Sequence, residues 1–392
     1  MKRQEKLTVR ELMCIIEEEI EEPRQEGGNL RHKLVDILVI VLVGIICGCE
    51  QWIEIEDFAH EKEAWLREFL ELPNGIPSDD TYRRVMERIK PKQLEAAYRR
   101  WVLPYIGSCI GKHIAVDGKT VCGVNKGARE NKLHIVSAWV REDGITLGQV
   151  RTREKSNEIT AIPELLDALD IRGATVTIDA MGCQTEIAKK IVAAQANYVL
   201  AVKQNQPSLY EAIAAYFTWA KNDPTEKQTL LQFSSYDGEH GRHVHWTVEV
   251  THDTNWYESQ KEWKQLSSMI HVTRKREQHG NMSIEHAYYI SSARYDAKHF
   301  AELIRGHWSI ENNLHWQLDT QFGEDASQIH KGHSPENLAV LRKISKLLLQ
   351  MEPSFKASIH RKQRKALMVH DYLLSVLATA HLFECGRPAR QT

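Results

Sequence analysis

Residues 112–220 run through structure types in one order, and that order restricts the fold more than any other feature of this 392-residue chain. KHIAVDGKTV, KLHIVSAWV and ITLGQVRT are three β-rich runs, the last two joined by Arg141-Glu-Asp-Gly144, a hairpin-type link. A helical pattern follows in NEITAIPELLDALDI, then a strand in ATVTIDA, a helix in TEIAKKIVAAQ, a strand in YVLAVK and a helix from Ser208 to about Ala220. Meandering strands followed by alternating helices and strands predict one mixed sheet, antiparallel first and parallel after.

That order is the order of a ribonuclease-H-like α/β domain. It is expected over residues 104–350, with a β-rich insertion at about 225–295 where QTLLQFSSYD, HVHWTVEVT, SSMIHVTRKRE and SIEHAYYISS succeed one another without helices. Residues 1–103 read as an all-α N-terminal domain, and 351–392 as a C-terminal helical segment. Inside the N-terminal module, GIPSDDTYRRVMERI places Ser78 as an N-cap ahead of Arg83, Arg84 and Arg88. The segment resembles the second half of a helix-turn-helix; a capped surface helix is the plainer reading.

Two predicted strands run apolar residues into a lone carboxylate, Asp117 in KHIAVDGKTV and Asp179 in ATVTIDAMGCQ. If the strands are neighbours, the acids converge on one point, where repulsion makes them costly unless a divalent cation neutralises them. Each has a structural rival: Asp179 as the cap of the next helix, Asp117 as part of a DG turn. The third candidate is Glu311 in RGHWSIENNLHWQLD, four residues before His315 on a predicted helix. Oxygen ligands from two strands and a helix suit Mg²⁺ or Mn²⁺.

Other function classes are disfavoured. The net charge of −2 gives no global attraction to nucleic acid, so any basic surface is local. Seven scattered cysteines, at 14, 47, 49, 109, 122, 183 and 385, form neither a disulfide framework nor a C-x-x-C site, which suits a reducing cytoplasm. The longest apolar run, Ile37 to Cys49, is 13 residues, against roughly 18 or more for a membrane span. The acidic, Gly-rich stretch before it is unlike the start of a signal peptide. His240, His243, His245 and His252 have no cysteine partners for zinc.

AVDGKT, EKSNEITAIPELLDAL, TIDAMGCQTEIAKKI with YVLAVKQNQ, and HWSIENNLHWQLDTQFGED with SPENLAVLRK occur in that order along the chain. Together they resemble the DDE transposases of bacterial insertion sequences, in the ISAs1 family that includes the H-repeat-associated proteins. The resemblance covers nearly the whole chain and implies that Asp117, Asp179 and Glu311 are the catalytic, metal-binding residues. It implies Mg²⁺ or Mn²⁺, as two ions, and double-stranded DNA as partner, both element terminal repeats and target. The site would hydrolyse a phosphodiester and transfer the freed 3′-hydroxyl to target DNA. The 132 residues from Asp179 to Glu311 leave room for the insertion. One departure stands out: the broader IS4-like group carries Tyr, Arg and Lys at seven before, four before and seven after its Glu, where this chain has Ile304, His307 and Leu318.

DNA contacts are therefore expected from Arg305, His307 and Asn312 near Glu311, from Lys119 two residues beyond Asp117, and from Lys203 and Asn205 at the end of YVLAVK. The basic runs Arg274-Lys275-Arg276 and Arg361-Lys362-Gln-Arg364-Lys365 read first as solvated faces. The mechanism implies a homodimer on DNA, no membrane contact, and a cytoplasmic, nucleoid-associated protein. The alternatives are a catalytically inactive or domesticated DNA-binding relative, and a plain nuclease on the same fold.

Overall fold

A computed structural model describes residues 7–24, 30–121, 133–152, 158–239, 242–278 and 281–377. Cys122, Cys385, residues 154–157 of the EKSNEITAIPELLDAL stretch and residues 378–392 of the expected C-terminal helical segment lie outside the described residues. The chain divides into two compact units: residues 1–107, 120–135 and 314–392, and residues 108–119 and 136–313.

The first unit is mainly helical. The apolar run forms the helix Leu34–Ile46, buried on every side from Val35 onward, and so it is a core helix. Its one carboxylate, Asp36, is 2% exposed and accepts the Leu72 N–H at 3.0 Å. Burial raises the Asp36 carboxyl above the usual carboxylate range. Ser334–Met351 lies in the same core, where the Asn337 side-chain amide donates to Met86 O and Ile89 O at 2.9 and 3.0 Å. That pairing satisfies carbonyls at the end of the helix Asp79–Arg88. On this helix Tyr82, Val85 and Met86 are buried, while Arg83 and Arg84 are spent on Asp80 and Glu87 of the same helix. No helix among the described residues is long and apolar enough to cross a membrane.

Among the described residues the sheet has nine strands: β1 (His113–Val121), β2 (Leu133–Val140), β3 (Ile145–Thr152), β4 (Thr175–Ile178), β5 (Asn197–Val202), β6 (Leu231–Glu239), β7 (Arg242–Thr251), β8 (Ser268–Gln278) and β9 (Asn281–Ser291). Their spatial order is β3-β2-β1-β4-β5-β9-β8-β7-β6. β1, β4 and β5 are parallel neighbours, as the βαβ pattern predicts. The four strands between residues 225 and 295 continue this sheet, because β9 pairs antiparallel with β5.

Alternation along these strands sends Val248, Val250, Ile270 and Val272 to one face, where Phe300 and Ile304 of the helix Ala297–His307 pack on them. The opposite face meets the helix Pro207–Asn222 through Phe217 against His271 and Tyr210 against Tyr288. Some local details differ from the sequence expectation. Residues 224–229, assigned in part to a strand, form a short helix capped by Asp223, with Pro224 at its first position. Within the expected C-terminal helical segment the chain forms Ile359–Met368 and His370–Val376, parted at Val369, whose backbone is extended.

Candidate active site

β1 and β4 bring the two strand acids together. Val116 pairs with Ile178 in parallel register, so the next residue on each strand is Asp117 and Asp179. β1 is buried through Val116, half-buried from Asp117 to Thr120 and buried again at Val121, so Asp117 opens the one partly exposed stretch of the strand.

Asp179 does two jobs. It caps a short turn, Ala180–Gly182, through an Oδ1 that accepts the Met181 N–H at 3.0 Å. The turn is tight because position 182 has no side chain: a Cβ there would stand 2.3 Å from Ile178 Cγ2. Asn205 donates its amide to Ala180 O at 2.5 Å, and Gln206 donates to Cys183 O at 2.9 Å, so the end of β5 braces the turn. Burial and the negative charge of Glu158 raise the Asp179 carboxyl above its ordinary range. The Met181 and Gly182 N–H groups and the Lys203 charge oppose that rise.

The third acid arrives on a distorted helix. After Ala297–His307 the chain turns and continues as a π-helical turn, Glu311–His315. Such turns hold an extra residue and change which side chains face a given direction. Ile310 is buried beneath this turn, 1% exposed, while Glu311 is exposed. One carboxylate oxygen each of Asp117 and Glu311 lie within 4.8 Å of each other. All three acids line one cavity of about 230 Å³, together with Lys203, His307 and Trp308.

His307 is held from behind. Its Nδ1 lies 2.9 Å from Thr177 Oγ1, and that hydroxyl lies 2.7 Å from His113 Nε2. His113 is 3% exposed, and burial, with the neighbouring His307 charge, pushes its pKa down to about 3. It is a neutral ring on β1, and the chain of contacts ties β1, β4 and the helix of His307 together.

The remaining expected residues distribute differently. Lys119, Asn205, Arg305 and Asn312 do not line the cavity. Arg305 turns to the extended sheet, donating to Asp237 at 2.6 Å and to Ser235 at 3.3 Å with its guanidinium 5.5 Å from the Trp246 ring centre. Arg274 shares that ring and pairs with Glu285. Ile304 and Leu318, at two of the IS4-like positions, are buried hydrocarbon side chains with no polar group to offer a substrate, although Ile304 lines the cavity. In the second basic run, Lys362 is buried and donates to Leu349 O and Glu352 O at 2.7 and 2.6 Å. Trp308 shares a helix face with Glu311 by its spacing, whereas His113, Thr177 and Glu158 were not among the expected residues. Only Glu158 carried a signal, as an acid at the start of a mostly apolar helix.

Comparison with known proteins gives the family. The family described as Transposase DDE domain matches residues 110–348, and the one described as DDE_Tnp_1-associated matches residues 18–102. YncI of Escherichia coli O157:H7 is 40% identical over 370 residues, 91% of this chain and 92% of that one. The H repeat-associated YhhI of Escherichia coli strain K12 is 38% identical over 364 residues, 91% of this chain and 96% of that one; both bear the name transposase. Likeness in overall shape to a piggyBac transposase synaptic complex with hairpin DNA is slight, with a TM-score of 0.41 and 10% identity over 97% of this chain and 79% of that chain. Matched by the family over residues 110–348 and by relatives along nine-tenths of its length, the chain belongs to the DDE transposases, in the ISAs1-like, H repeat-associated group.

Proposed function

We propose that the chain cuts the DNA at the ends of its element and joins the freed 3′-ends to target DNA, on a ribonuclease-H-like catalytic domain. The observation that carries this reading is the shared cavity of Asp117, Asp179 and Glu311 on two adjacent parallel strands and a π-helical turn.

The donor set fits a hard divalent cation. All three groups offer carboxylate oxygens, two of them already within 4.8 Å, and the Asp179 carboxyl is unsettled by burial as it stands. Asp117, Asp179 and Glu311 would hold Mg²⁺ or Mn²⁺, as one or two ions, which when bound supply charge stabilisation at the oxygens of the phosphodiester. The protein's own groups do the rest. Asn205 and Gln206 hold the Asp179 turn in place, and Lys203 brings a positive charge to the wall where a phosphate would lie. His307, its ring fixed through Thr177, offers a polar edge in the position where the IS4-like group has an arginine. No serine or cysteine nucleophile is required, because the attacking group is water in the first step and a DNA 3′-hydroxyl in the second.

The partners on this reading are double-stranded element ends and target DNA, bound by a homodimer in the bacterial cytoplasm and nucleoid. The helical N-terminal residues would take part in DNA binding. The test is a labelled duplex carrying the DNA that flanks the gene, incubated with the protein and a supercoiled plasmid in Mg²⁺ or in EDTA. Mg²⁺-dependent nicks at the element end with joined plasmid products support a transposase. Nicks that never join identify a plain nuclease, and binding without cutting in either Mg²⁺ or Mn²⁺ identifies an inactive relative.

A further inference from the structure

A second and larger cavity, about 720 Å³, lies where the helix Pro207–Asn222 meets the loop after β7. Its wall is aromatic. Tyr216 and Trp256 stack with ring centres 4.5 Å apart and planes within 3° of parallel, and Trp219 leans against Tyr216 at 5.8 Å. The stacked pair is fixed: the Trp256 indole donates to Asp253 O at 2.9 Å, and the Tyr216 hydroxyl lies 3.2 Å from Thr251 Oγ1 and 3.3 Å from Glu226 Oε2. Trp219 is 51% exposed, a large apolar surface left in water.

Glu226, Asp253 and Glu258 line the same cavity, and among the described residues no lysine, arginine or histidine does. Among the described residues none of these three carboxylates has an ion-pair partner. Glu226 is set in place by the short helix that Asp223 caps. The cavity thus joins flat apolar rings to uncompensated negative charge. A phosphodiester would be repelled from it, and an uncharged apolar ligand would leave the carboxylates unanswered. Cations that carry alkyl chains satisfy both features: methylenes cover the rings, and ammonium groups meet ring faces and carboxylates.

We infer that this cavity binds a linear aliphatic polyamine, its methylene segments lying along Tyr216, Trp219 and Trp256 and its ammonium groups meeting Glu226, Asp253 and Glu258. Several carboxylates around one aromatic wall favour a ligand with several ammonium groups over the single one of a lysine side chain. The inference is independent of the DNA-cutting site.

Calorimetric titration of the full-length, DNA-free protein with spermidine, at constant ionic strength, tests it. Nα-acetyl-lysine amide and Mg²⁺ serve as parallel probes. The expected result is saturable binding of spermidine at one site, at least ten-fold weaker in Trp219→Ala and at least three-fold weaker in Glu258→Gln. Both side chains are exposed, so neither substitution threatens the fold. Saturable binding of the lysine amide without spermidine would overturn the polyamine assignment. So would spermidine binding that both variants retain, or that Mg²⁺ displaces at equal charge concentration, since each marks diffuse attraction to the acidic surface.

Discussion

A carboxylate at the end of a buried parallel strand costs free energy unless something answers its charge. At Asp179 the answer is partial: backbone N–H groups and Lys203 lower the cost, while burial and Glu158 raise the carboxyl's pKa on balance. The Asp179 carboxyl therefore sits under local electrostatic tension, as expected where groups are arranged for a cation. His113 allows a cleaner test of side-chain titration, since it lies behind the acids. Its folded pKa of about 3 is below the ordinary 6.5, so between those values the unfolded chain holds more protons than the folded one. Stability must then fall as pH drops from about 6.5 towards 3. Between pH 7 and pH 5 the wild type should lose about 2 kcal/mol more than His113→Gln, from 1.4 kcal/mol per pH unit below the unfolded pKa. Urea unfolding in EDTA measures this, and equal pH slopes for the two proteins would show that the ring is not buried neutral.

At the scale of the element, the turn Ala180–Gly182 does the positioning. It is braced from β5 and admits no Cβ at position 182 without a clash against Ile178. Gly182→Ala should cost about 1–3 kcal/mol, as overpacking does, and should lower the cleavage rate more than ten-fold, because the shift falls on Ile178 and the turn, on either side of the residue that carries the carboxylate. Unchanged cleavage with a lowered urea midpoint would separate the turn from the chemistry. Asn205→Ala removes one hydrogen bond to the same turn, and about 1 kcal/mol of stability is the expected loss in the urea midpoint.

The strands around these residues were legible in the sequence. Alternation in HIAV and TVTI, each ending in a lone Asp, set both β1 and β4 and their acids. What was not legible depends on contacts between distant positions. His113 and Thr177 are 64 residues apart, and Thr177 and His307 are 130 apart, so no local pattern links them. Arg305 was expected to contact DNA from its place near Glu311; its pairing with Asp237 and Trp246 of the long strands β6 and β7 follows from no local pattern. The π-helical turn also escaped, since a 3.6-residue period is blind to one extra residue. By contrast, Asp223-Pro224 is a legible helix start that the strand-like residues after it obscured.

At the scale of the whole molecule, the net charge of −2 means that affinity for DNA rests on local groups and on the cation, not on a general field. Binding of a cation to the folded state alone should raise stability by mass action, by about 2.7 kcal/mol at a hundred-fold excess over its dissociation constant. The unit of residues 108–119 and 136–313 holds all three acids, so its melting transition should rise by several degrees in Mn²⁺ and be unmoved in Asp117→Asn. A rise confined to the helical unit would place the cation elsewhere. The most direct test of the central claim, that Asp117, Asp179 and Glu311 form one metal-dependent centre, is end cleavage of the flanking-DNA duplex. Wild type, Asp117→Asn, Asp179→Asn and Glu311→Gln are compared in Mg²⁺, with binding to the same duplex measured beside it. The account predicts cleavage by the wild type alone, a loss of at least a thousand-fold in every variant, and DNA affinity within about three-fold of wild type. Cleavage at the wild-type rate by any one of the three variants would contradict it.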